Sequence, residues 1–250
     1  MTIFYRKNTM NHKRVLIIIP AYNEEASILQ TVTNINNYKE QVDFDLDYIV
    51  INDGSTDKTK QIIEENGLNA VHLVMNLGIG GAVQTGYKYA LQHDYDIAVQ
   101  FDGDGQHDIH SLNHLVQPII KDRADMVIGS RFVGEDKSEF QTSFMRRFGI
   151  TIISMMIKLT TRKRVFDTTS GYRLANRPVI KEFAKRYPRK YPEPESTVHL
   201  LKRKYRVVEA PANMFERQGG ESSITAIKSI RYMVEVCSSI LIAAFMKETE

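Results

Sequence analysis

Asp102 and Asp104, one glycine apart in the run Gln-Phe-Asp-Gly-Asp-Gly-Gln-His-Asp at residues 100–108, are the side chains of this sequence best suited to chemistry. Two carboxylates at that spacing can converge on one hard cation, and Gln106 adds a neutral oxygen on the same side. Gly103 and Gly105 permit the tight turn that convergence requires. Oxygen donors that are few and leave positions open suit Mg²⁺ or Mn²⁺ holding a substrate's phosphates, rather than a closed structural cage. An isolated Asp-Gly-Asp is ordinarily a turn after a strand. The surrounding elements decide between the two.

An apolar run at 97–99 precedes the carboxylates and reads as a buried strand, so Asp102 and Asp104 fall where its carboxyl end opens into a loop. The same arrangement recurs upstream. Residues 15–19 form a β-branched run expected of an interior parallel strand, followed by Pro20-Ala21-Tyr22-Asn23-Glu24, with Asn23 as cap of a helix carrying Ile28, Leu29, Val32 and Ile35. A second strand, 46–52, ends in Asn52-Asp53-Gly54-Ser55-Thr56-Asp57, with Ser55 as the next cap and Gly67 as that helix's end. A third, 70–75, leads to Asn76-Leu77-Gly78-Ile79-Gly80-Gly81 and a helix to about residue 91. A fifth, 125–129, ends in Ser130-Arg131. This alternation predicts an α/β domain with a doubly wound, mostly parallel sheet and a site along the carboxyl ends of its strands. The glycines at 78–81 have neither Rossmann nor P-loop spacing. Direct phosphate contact and close packing of a helix start both remain open there.

At 250 residues the chain can bury a full core. A net charge of +3 is too small to indicate nucleic acid, and the basic clusters at 185–190 and 202–206 come with no nucleic-acid motif. The single cysteine, Cys237, excludes a disulfide framework. His107, His110 and His114 lie at helical spacing, but His107 belongs with the carboxylates more than with a zinc site. No stretch has the roughly 20 apolar residues of a spanning helix. Residues 144–160 instead read as an apolar helix in a collar of Arg146, Arg147, Lys158, Arg162, Lys163 and Arg164, suited to an anionic interface. Residues 222–250 read as an amphipathic helix for docking on a membrane or a partner.

Together the four loop motifs, Pro20–Glu24, Asn52–Asp57, Asn76-x-Gly78-x-Gly80 and Asp102–His107, resemble family 2 glycosyltransferases, in the branch of dolichyl-phosphate mannose synthase and bacterial polyprenyl-phosphate glycosyltransferases. The resemblance covers roughly residues 14–223 and implies the GT-A fold with inversion at the sugar's anomeric carbon. It implies that Pro20, Tyr22, Glu24 and Asp53, with Gly78 and Gly80, hold a nucleotide sugar, and that Asp102, Asp104 and Gln106 ligate Mg²⁺ or Mn²⁺. Arg131 and Arg173 match arginines that grip a lipid phosphate, a task a guanidinium fork suits. Arg217 would reach the donor diphosphate, in a loop where Met214 and Ser223 replace the family's Phe and Lys. Asn52 stands where many relatives have Asp.

The resemblance thus implies transfer of glucose or N-acetylglucosamine from a UDP-sugar to polyprenyl phosphate on the cytosolic membrane face. An integral membrane protein could supply the spanning part that some relatives carry themselves. The organisation expected is a basic arm (1–14), a catalytic domain (15–221) and the docking helix (222–250). The rival reading extends a surface polysaccharide on a sugar hydroxyl, with Glu195 or Glu193 as the base that such an acceptor needs.

Overall fold

A computed structural model describes residues 13–134, 144–215 and 226–245. Strands β1 (Arg14–Ala21), β2 (Asp45–Asn52), β3 (Ala70–His72), β4 (Ile97–Gln100), β5 (Met126–Ser130), β6 (Arg173–Asn176) and β7 (Val207–Pro211) form one sheet in the order β3-β2-β1-β4-β6-β5-β7. β6 runs antiparallel to β4 and β5, and every other pairing is parallel. The helices are α1 (Ile28–Lys39), α2 (Thr59–Glu65), α3 (Gly78–Gln92), α4 (Leu112–Ile120), α5 (Phe144–Thr161), α6 (Arg177–Lys185), α7 (Pro192–Lys202) and α8 (Ala226–Phe245).

The β1 run is apolar throughout because both of its faces are covered. Successive side chains of a strand point to opposite faces. Leu16 and Ile18 therefore join the core cluster lined by α3, α5, α6, α7 and α8, while Val15, Ile17 and Ile19 join the one lined by α1, α2 and α4. Each of these buried side chains contributes about 1.5–3 kcal/mol by leaving water. The sheet's middle, which carries the site, is thereby held rigid from both sides.

Three expectations are corrected. β3 stops at His72, because the chain leaves the sheet for the loop before α3, where Val74 is fully exposed. Asn23 does not cap α1, which begins after Ser27, and its Oδ1 accepts from Thr56 N at 2.9 Å instead. Ser55 does not cap α2 either. Its Oγ accepts from Asn23 N at 3.1 Å, and Asp57 Oδ1 takes Thr59 N at the helix start. Gly67 ends α2 as expected, at φ +58, with Gly67 N and Leu68 N bonded to Glu64 O and Ile63 O.

α5 buries Ile150, Ile153 and Ile157 while exposing Phe148, Met155 and Leu159. α8 is also two-faced. Val236 and Ile240 are buried in the core, and Glu235 accepts from Lys190 Nζ at 2.6 Å and from the Tyr191 hydroxyl. The inner face of the expected docking helix thus packs on the domain itself. No helix among the described residues is long and apolar enough to cross a membrane.

Candidate active site

Four loops meet at the carboxyl ends of β1, β2 and β4 and beside the antiparallel β6. The loop after β1 is zipped to the loop after β2, with Glu24 N donating to Thr59 Oγ1 at 2.8 Å, Glu25 N to Asp57 Oδ2 at 3.1 Å and Lys58 N to Glu25 Oε2 at 2.9 Å. Tyr22 leaves this junction with its ring 46% exposed. The Glu24 carboxylate accepts from Ser27 Oγ at 2.8 Å. Its methylene lies beside Gly103, where an added Cβ would come 3.7 Å from Glu24 and 3.2 Å from Pro20 O. A side chain at 103 would crowd the Pro20 carbonyl, so the glycine lets the carboxylate loop close tightly on the loop after β1.

Asp53 is buried and accepts Leu77 N at 2.7 Å, tying the end of β2 to the start of α3. Burial raises its carboxyl above the ordinary value, and the N–H groups of Leu77 and Gly78 partly offset this. Two of the glycines of α3, Gly78 and Gly80, have different reasons to be there. Gly78, at φ +77, faces open space, whereas a Cβ on Gly80 would meet Pro188 O at 2.2 Å. Close packing therefore explains Gly80, whereas Gly78 borders open space, its N–H donating to Asn76 Oδ1 at 2.9 Å.

Asp102 and Asp104 are both partly exposed. Asp102 N donates to His107 Nδ1 at 3.0 Å, and His107 Nε2 lies 3.5 Å from Asp102 Oδ2. An Nδ1 that accepts fixes the proton on Nε2, facing the carboxylate. Burial lowers the His107 pKa to about 4, so the ring is neutral, stacked on Tyr172 at 4.8 Å between centroids. Asp104 Oδ1 accepts Gln106 N at 3.1 Å. From the other side, a Cβ on Gly171 would fall 2.7 Å from Asp102 Oδ2, so the 167–173 segment is pressed against this carboxylate.

The donors fit a hard divalent cation of the Mg²⁺ or Mn²⁺ kind, because they are oxygens and Asp102 is cradled where only a glycine leaves room. No group of three or more His, Cys, Asp or Glu that could by itself hold a metal occurs among the described residues. Two carboxylates that leave further positions to phosphate oxygens make an open site. His110 and His114 go elsewhere, His110 edge-on to Tyr38 and His114 to the carbonyl of Pro211.

The acceptor-side arginines depart from expectation. Arg173 is 1% exposed, and its guanidinium donates to the carbonyls of Ser170 (2.8 Å) and Glu193 (2.7 Å) and to Ser196 and Thr197. It joins the 167–173 segment to α7. Arg131 is also buried and forms a bidentate pair with Asp167, Nε to Oδ2 at 2.8 Å and NH2 to Oδ1 at 2.7 Å. Glu195 points toward Ser239 of α8, away from the carboxylates. Glu193 is the acid that faces the site. Gln100 Nε2 donates to its Oε1 at 3.4 Å, and burial raises its carboxyl, with Arg173 opposing and Asp102 adding to the rise. Phe215 N donates to Gln106 O at 2.8 Å, which places the chain beside the carboxylate loop just before Arg217. Arg217, Gly220, Ser222 and Ser223 lie outside the described residues.

The family described as "Glycosyl transferase family 2" matches residues 16–184. The chain is 32% identical over 222 residues to the UDP-N-acetylglucosamine–dolichyl-phosphate N-acetylglucosaminyltransferase of Methanococcus voltae, covering 81% of this chain and 86% of that one. It is 30% identical over 224 residues to the undecaprenyl-phosphate mannosyltransferase of Micrococcus luteus, covering 85% and 88%. Among solved structures, glucosyl-3-phosphoglycerate synthase from Mycobacterium tuberculosis, crystallised with Mn²⁺, UDP-glucose and phosphoglyceric acid, superposes with a TM-score of 0.69 at 17% identity, covering 95% of this chain and 81% of that one. That likeness shows the GT-A fold.

Proposed function

Because the chain belongs to glycosyl transferase family 2 and is accordingly a hexosyltransferase, we propose that it moves one sugar, glucose or N-acetylglucosamine, from a UDP-sugar to polyprenyl phosphate at the cytosolic face of a membrane. The observation that carries this reading is the seating of Asp102 between His107 and Gly171. Donor-side and acceptor-side segments share that one carboxylate, so a bond broken above it has both reactants at hand.

On the donor side, the exposed ring of Tyr22 stacks on the base, and Pro20, Glu24 and the Asp53 turn form the wall behind the ribose. The start of α3 faces the diphosphate, where Gly78 leaves open space for its approach. Asp102, Asp104 and Gln106 hold Mg²⁺ or Mn²⁺, which when bound offsets the charge gathering on the departing diphosphate. On the acceptor side, Arg131 and Asp167 order the 167–173 wall. A phosphate monoester is anionic at neutral pH and needs positioning more than a base.

One observation favours the rival, transfer to a sugar hydroxyl: Glu193, with its raised pKa, faces the site and could take a hydroxyl proton. Incubating the chain with radiolabelled UDP-sugars, Mn²⁺ and undecaprenyl phosphate decides between them. Label entering the organic phase is the expected outcome. Nucleotide release that requires an oligosaccharide and ignores the lipid overturns the proposal.

A further inference from the structure

At the carboxyl ends of β2 and β3, Asn52 and His72 stand opposite one another in the parallel register. Asn52 is buried and His72 is exposed. The Asn52 amide is oriented by the backbone: its Oδ1 accepts Ser55 N at 3.1 Å, which turns Nδ2, a donor only, toward His72 Nδ1 at 2.9 Å. A donor on Asn52 demands a bare, accepting Nδ1, so the neutral imidazole carries its proton on Nε2. That Nε2 takes no partner among the described residues.

The surroundings make this a wall of the donor site. Gly54, at φ +68, lies so close to the chain before α3 that a Cβ there would meet Asn76 N at 2.8 Å. The turn carrying Asn52 and the segment following His72 are thus closed against each other. Ser55 of the same turn is bonded to Asn23, next to the exposed Tyr22 ring. An aromatic face and a fixed N–H donor therefore stand at the ends of β1 and β3, on either side of β2.

We infer that His72 Nε2–H reads the edge of the donor's base, donating to a ring carbonyl such as uracil O4 and rejecting an amino group such as cytosine N4. This rests on the nucleotide-sugar reading of the site. UDP and CDP are the sharpest probes, because the two bases differ only along this edge, carbonyl O4 and N3–H in uracil against amino N4 and a bare N3 in cytosine. A donor facing a donor forfeits the bond and leaves a group unpaired, so the discrimination expected is about tenfold or more.

The test is calorimetric binding of UDP and CDP to the full chain with Mn²⁺ at about pH 8.5, where an ordinary imidazole is neutral. The unaltered protein binds UDP about tenfold or more tighter than CDP, and His72→Leu brings the two affinities together while pyrophosphate binding stays the same. Asn52→Asp offers only acceptors, draws the imidazole proton to Nδ1 and leaves Nε2 bare, so CDP gains on UDP. An unchanged UDP-to-CDP ratio in His72→Leu, or equal affinities in the unaltered protein, overturns the inference and leaves the site reading intact. Failure of every nucleoside diphosphate to bind overturns both.

Discussion

Asp104 and Asp102 have different supports, and substitutions should separate them. Asp104→Ala removes an oxygen donor from a partly exposed position, so the protein stays folded while transfer falls about a hundredfold or more, as expected when charge on a leaving group goes uncompensated. A rate near normal with a normal melting curve would refute its role. Gly171→Ala acts at a distance, because the new methyl must displace the Asp102 carboxylate it would otherwise approach at 2.7 Å. Mn²⁺ affinity, read by electron paramagnetic resonance, should weaken about tenfold, the scale of a disturbed supporting shell. Arg173→Met should instead cost about 3 kcal/mol or more of stability, since it strips donors from several buried oxygens. A urea midpoint left unchanged, with only acceptor KM raised, would restore Arg173 as a phosphate grip. The carboxylates were legible in the sequence because their spacing is local. Arg173 was not, since its partners at 168–170 and 193–197 come together only through the fold. Glu193 and Glu195 lie two residues apart on α7, about 200° around a helix, and only the packing of α8 tells which faces the site.

At the scale of elements, the strands ending in glycine-rich or acidic loops were readable from apolar runs, whereas β6 and β7 were not. β6 is four residues with a buried arginine at its start, and β7 ends in Pro211 at the sheet's edge, where a missing N–H costs no ladder bond. What holds these strands in place is polar. Asp125, just before β5, accepts from Asn176 at the end of β6 (2.9 Å) and from Arg206 before β7 (2.9 and 3.1 Å). The bonded Arg206 guanidinium is the main reason the Asp125 carboxyl lies below its ordinary value of 3.8. A carboxyl depressed on folding stabilises the protein above its unfolded pKa and loses that contribution as pH falls through the folded one. Asp125→Asn should therefore lower stability by about 1 kcal/mol near neutral pH. The deficit should shrink as the pH drops below 3.8, in urea titrations of both proteins. A deficit constant with pH would mean that the ion pair contributes nothing and only the amide's geometry matters.

Across the whole molecule, one part of the exposed apolar surface lies on the outer faces of α5 and α8, the helices that cover one side of the sheet. α5 turns Phe148, Met155 and Leu159 outward, the last 73% exposed, and α8 turns out Val234, Leu241, Ile242 and Phe245, the last 80% exposed. The two helices pack on each other, and Arg147, Lys158, Arg162, Lys163 and Arg164 are exposed along and just beyond α5. A net charge of +3 is modest, so this local collar matters more than the total. An enzyme whose acceptor is anchored in a bilayer gains by holding its site at that surface, and an apolar stripe with cations beside it has the chemistry of an anionic interface. The protein should therefore sediment with phosphatidylglycerol vesicles and much less with phosphatidylcholine. Release is expected toward 1 M salt, where screening shortens to about 3 Å. Each collar residue contributes about 1 kcal/mol, so Lys158→Glu with Arg162→Glu should weaken binding at least tenfold, while Leu159→Asp should weaken it on both lipids. These exposed positions leave the folded core untouched, so turnover with a short, water-soluble polyprenyl phosphate should be unchanged in all of them. Equal binding of the charge-reversed protein to anionic vesicles would remove α5 from the interface and leave the outer face of α8 as the surface to test next.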